Sequence, residues 1–185
     1  MKKLLLIAAC IGASVGLVAQ TSTGGSINFL TKVSNADPTK AIDVKVFDVD
    51  GTTVINNAST PAITAQLFAG ATADSLAPVG TAINFLASGY LNAGKVLTPL
   101  PQGSTAFVEL RAWQASAGSY DAAKAGGLKW GRSDTISIVL GGDQLTPPAV
   151  PANLVGLRSF SLIPEPSTIA LGALGALALL ALRRK

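Results

Sequence analysis

Gly, Pro, Asn and Asp cut residues 20–163 into short apolar or alternating runs, and this punctuation limits the fold more than any other feature. Eight runs read as strands: Ser26–Val33, Ile42–Val49, Ile63–Ala69, Ala82–Leu86, Lys95–Thr98, Thr105–Gln114, Thr135–Leu140 and Gly156–Ile163. They are rich in Val, Ile, Thr and Phe, and they alternate, as in Thr135-Ile136-Ser137-Ile138-Val139-Leu140. Helical periodicity is nearly absent, with one turn predicted over Tyr120–Ala125. About eight short strands with turn signals between them predict an all-β fold, an Ig-like β-sandwich. A body of 144 residues (20–163) is long enough to bury a core without disulfides or a metal. Pro147-Pro148-Ala149-Val150-Pro151 reads as a stiff connection before the last strand rather than a domain boundary.

The chain on either side of this body is of another kind. Met1-Lys2-Lys3, an apolar run from Leu4 to Val18 and then Ala19-Gln20 have the order of a Sec signal peptide, with cleavage expected near Ala19. The run is shorter than the roughly 20 residues of a membrane span, which argues against a retained anchor. Ile7-Ala8-Ala9-Cys10 looks like a lipobox, but only six residues separate Lys3 from Cys10, very few for the apolar region such a signal needs.

After the body come Ile163-Pro164-Glu165-Pro166-Ser167-Thr168, apolar and small residues from Ile169 to Leu182, and Arg183-Arg184-Lys185. Each proline lacks an N–H and restricts the residue before it, so Pro164 and Pro166 stay outside a helix. Ser167 or Thr168 can then cap one. At about 1.5 Å per residue, a helix from Thr168 to Leu182 reaches roughly 22 Å. That is short of a full bilayer core, and local thinning or snorkelling of the basic residues covers the difference. The basic terminus is expected on the cytoplasmic side, which places the body outside. The three domains expected are a signal peptide (1–19), a β-sandwich ectodomain (20–163) and a C-terminal tail with a transmembrane helix (164–185).

In Pro164-Glu165-Pro166, the Gly/Ala/Leu helix and the basic terminus, this tail resembles the PEP-CTERM sorting domain of Gram-negative environmental bacteria. The resemblance implies recognition by an exosortase and removal of the helix near the sorting motif Pro164, Glu165, Pro166 and Ser167, with Arg183, Arg184 and Lys185 setting topology. It implies export through the Sec translocon, transient inner-membrane anchoring, and a final place at the cell surface or outside the cell. Association with an exopolysaccharide matrix is implied by the resemblance alone. The body is also similar to small ectodomains that often precede such tails. The likeness lies in Ser26-Ile27-Asn28-Phe29, Val46-Phe47-Asp48-Val49-Asp50-Gly51, Ala65-Gln66-Leu67-Phe68-Ala69-Gly70 and Val108-Glu109-Leu110-Arg111-Ala112-Trp113, and it carries no activity with it.

Charge and composition exclude several function classes. Residues 20–163 hold nine basic and nine acidic side chains, so the net charge of +4 belongs to the two ends. A pI near 9.4 therefore does not mark a nucleic-acid-binding groove. The chain has no histidine, and its single cysteine is Cys10, so a mature chain offers neither a Ser-His-Asp nor a Cys-His nucleophile and lacks the usual zinc ligands. No enzyme activity, cofactor or metal is expected.

Three motifs have both a functional and a plain reading. Asp48-Val49-Asp50-Gly51 invites calcium, yet an EF-hand register puts Val46 first and Asn57 twelfth in the loop, so a hairpin turn is the expectation. Glu109, the only glutamate of the body, shares a strand face with Arg111 and is expected to form a surface ion pair. Tyr90, Tyr120 and Trp130 lie in loop-like stretches and are candidate glycan-stacking residues, the plain reading being that Trp113 is core and Trp130 packs one end of the fold. Gly141-Gly142 follows a strand without the helix a phosphate loop needs, and is expected to be a turn. The reading carried forward is a non-enzymatic exported surface or matrix protein, with a carbohydrate-binding module as the alternative.

Overall fold

The computed structural model describes residues 24–163, whose regular elements are mostly strands. The central pair is β5 (Ile63–Gly70) and β8 (Thr105–Gln114). Their antiparallel register sets Ala65 opposite Ala112, Leu67 opposite Leu110 and Ala69 opposite Val108. All six side chains are buried, because period-two alternation sends these residues to one face of both strands. The other face carries Thr64 opposite Trp113, Gln66 opposite Arg111 and Phe68 opposite Glu109. Around this pair, β6 (Ala77–Asn84) forms one edge, and β10 (Ile136–Val139) and β9 (Trp130–Arg132) also pair, β10 and β9 both with β8.

A second sheet places β1 (Gly24–Leu30) between β7 (Asn92–Pro101) and β11 (Ala152–Asn153). Ile27 and Val96, directly opposite in this sheet, join Leu67, Val108 and Leu110 of the first in a single buried cluster. Two short ladders complete the framework. In one, β2 (Lys32–Val33) pairs antiparallel with β3 (Ile42–Asp43); in the other, β4 (Val46–Phe47) pairs parallel with β12 (Phe160–Ser161).

The all-β expectation holds, and the departures have local causes. The predicted Ser26–Val33 strand breaks at Thr31, whose hydroxyl accepts from Leu91 N–H at 2.8 Å and whose carbonyl accepts from Val44 N–H at 2.8 Å. Ile42–Val49 keeps its alternation, with Ile42, Val44 and Val46 buried, but it divides because it changes partner from β2 to β12. β6 begins earlier than predicted, at Ala77, through Pro78 and Gly80. An edge strand tolerates that proline, since one side of its backbone needs no ladder partner. The helix α1 (Tyr120–Ala125) occurs as expected, with Ser119 Oγ accepting from Ala122 N–H at 3.2 Å. Gly141 and Gly142 are not a turn. They bridge to Ser26 and Ala149, and a Cβ on Gly141 would collide with the carbonyl of Val150.

Candidate functional site

The last described residues are woven into the fold up to the proline motif. Phe160 N–H donates to Lys45 O at 3.4 Å, Leu162 N–H to Phe47 O at 2.9 Å and Ile163 N–H to Trp130 O at 2.6 Å. Leu162 is core and Ile163 is exposed, as expected where a strand leaves a domain. Pro164 therefore follows directly on a residue fixed by a backbone hydrogen bond, with no spacer between them.

Beside this exit lies an aromatic cluster on the outer face of β8. Tyr120 meets Trp130 at 5.6 Å and Trp113 at 6.4 Å edge-on, and Phe68 at 6.2 Å with tilted rings. Tyr120 and Trp113 are buried, so of the candidate glycan-stacking pair only Trp130 keeps some exposure, with Lys124 Nζ 5.2 Å from its ring centroid. Burial pushes the Tyr120 hydroxyl above its ordinary pKa, against the pull of the Arg111 and Arg132 charges. Tyr90 stands apart from this cluster. It donates its hydroxyl to Asp43 at 2.8 Å and lies under Lys32 and Lys45.

Glu109 is not on the surface. It is 2% exposed, accepts from Arg111 Nε at 2.7 Å and from Thr135 Oγ1 at 3.3 Å, and has Arg132 Nη1 at 3.6 Å. The Arg111 guanidinium in turn sits 4.1 Å from the Phe68 centroid and 4.8 Å from that of Tyr120. The surface expectation failed because Arg111, Thr135 and Arg132 gather on Glu109, while Tyr120 of α1 packs on Phe68 and Trp113 of the same sheet face.

The Asp48–Gly51 segment is a turn. Gly51 has φ +73°, Gly51 N–H donates to Asp48 O at 2.9 Å, and Phe47 and Val54 bridge antiparallel around it. Asp50 accepts from the N–H groups of Thr52 and Thr53, each at 2.8 Å, and from the Thr53 hydroxyl at 2.5 Å. These bonds, the Thr53 hydroxyl first, lower its carboxyl to about 2. Asp48 is held by Lys129 Nζ at 2.8 and 2.9 Å, a pairing across 81 positions that no local pattern announces. Among the described residues, no three His, Cys, Asp or Glu side chains gather as metal ligands.

A family model described as the PEP-CTERM protein-sorting motif matches residues 162–185. The chain carries a PEP-CTERM sorting motif. The match covers the tail and overlaps the fold at Leu162 and Ile163; Pro164, Glu165, Pro166 and Ser167, the expected helix Ile169–Leu182, the basic residues Arg183, Arg184 and Lys185, and the signal peptide lie outside the described residues. The PEP-CTERM motif implies exosortase-dependent, membrane-associated sorting of an exported protein, with exosortase as the processing partner. No helix among the described residues is long and apolar enough to cross a membrane. Neither the search of curated proteins nor that of solved structures gave a match.

Proposed function

We propose that this chain is a non-enzymatic protein of the cell surface or extracellular matrix, a β-sandwich body exported through Sec and delivered by its PEP-CTERM tail. The observation that carries the reading is the sorting motif joined without a spacer to a folded body. Three of the body's nine carboxylates add support. Glu109, the sole glutamate of the body, is buried against Arg111 and Thr135, and Asp48 and Asp50 are engaged by Lys129 and by the turn. A hydrolase working through paired carboxylates needs two such groups about 5–9 Å apart, free to meet substrate.

The test is an immunoblot of cell fractions from a host with an exosortase and from one without. The wild-type chain should lose its tail and leave the inner membrane only in the first host. Replacing Glu165-Pro166 with Ala-Ala should keep the full-length chain in the membrane fraction of both. A wild-type chain that keeps its tail where exosortase is present would make the segment a plain anchor. The second reading, a carbohydrate-binding module of the exopolysaccharide matrix, draws on the half-buried aromatic side chains that carry lysines, Tyr90 and Trp130.

A further inference from the structure

We propose that Tyr90, Lys32 and Lys45 form a binding site for an acidic polysaccharide, one whose sugar units carry carboxylates. The proposal rests on the matrix reading above and names a ligand chemistry for it. Lys32 Nζ lies 4.6 Å and Lys45 Nζ 5.1 Å from the centroid of the Tyr90 ring, so two ammonium groups share one aromatic side chain. Among the described residues, neither has a carboxylate within ion-pairing distance. Asp43, opposite Lys32 in the β2–β3 ladder, turns one oxygen to the tyrosine hydroxyl instead.

The arrangement is preformed. Tyr90 O accepts from Leu86 N–H at 2.9 Å, and the next residue, the buried Leu91, is bonded to Thr31 by both its N–H and its C=O. The ring is thus fixed by backbone on both sides and by Asp43 at its tip, while Lys32 remains exposed and Lys45 half-buried. Ammonium groups gathered on a ring keep N–H donors for a third party, and their mutual repulsion falls when an anion arrives. A carboxylated sugar supplies that anion together with apolar C–H surface for the ring. The body as a whole has balanced charge, so this local excess of cations points to a defined site rather than to general adhesion to polyanions.

The experiment is fluorescence polarisation of labelled oligogalacturonate with the full chain in mild detergent, at low and at physiological salt. Saturable binding that weakens with salt is expected, with at least tenfold loss in the double variant Lys32→Gln/Lys45→Gln and a similar loss for the methyl-esterified, uncharged oligosaccharide. Lys95→Gln, which removes an exposed lysine of β7 that lies on neither aromatic group, should bind as wild type does. Tyr90→Ala should also weaken binding, and the single change at the exposed Lys32, Lys32→Gln, keeps the test decisive should that variant fold poorly. No saturable binding, or binding indifferent to the lysine pair or to esterification, overturns the site. Should the protein still fractionate with the matrix in that case, the site alone falls and the matrix reading stands. Absence from the matrix with oligogalacturonate binding intact overturns the matrix reading and leaves the site.

Discussion

Glu109 is buried in β8 and accepts from Arg111 Nε at 2.7 Å, so each of the two depends on the other. Their spacing correctly put the two on one strand face, but no pattern within β8 shows that Thr135 and Arg132 also gather on Glu109. Removing one partner of such a pair leaves the other partly buried and unpaired. Glu109→Ala should therefore cost about 3 kcal/mol in urea unfolding, whereas Glu109→Met combined with Arg111→Met should cost clearly less. Asp50 offers a test by pH. Its carboxyl is lowered from 3.8 to about 2 by bonds made in the folded turn, so its contribution is present above pH 4 and is lost as pH falls through about 2. Melting temperature should drop over that window, and Asp50→Ala should flatten part of the drop. Asp37, lowered by its bonds to Thr39, contributes to the remainder.

At the scale of elements, what the sequence made legible was period. β5 and β8 alternate over eight and ten residues, and both lie within a residue of their predicted bounds. β9 and β11 have three and two residues, too few to show a period, and pairing alone makes them strands. Gly141-Gly142 reads as a turn in sequence because it follows a strand and no helix comes after it; what constrains Gly141, the backbone of Val150, shows only once Gly142 bridges to Ala149 and brings that backbone close. Gly141→Ala should thus cost about 1–3 kcal/mol through overpacking. The helix α1 is short enough to depend on its cap, and Ser119→Ala should cost about 1 kcal/mol. Thermal unfolding followed by circular dichroism would read both changes.

For the whole molecule, the sorting tail was legible because it is a linear signal, read in order without a fold. The candidate glycan residues were not, since only the folded chain separates Tyr90 from Trp130 and buries Tyr120. The junction of fold and tail gives a further prediction. With Ile163 bonded to Trp130, a processing enzyme meets the body one residue before the proline motif. A short Gly-Ser spacer between Ile163 and Pro164 should speed tail removal in a pulse-chase experiment and leave the melting temperature of the body unchanged. Were the tail to hold the protein at the membrane, as proposed, that junction would also be where tension enters. Drag on the body would pull first on the Ile163–Trp130 bond, then on Leu162–Phe47 and then on Phe160–Lys45. The last strand would in that sense be the mechanical fuse of the domain, and cutting the tail would take the load off it.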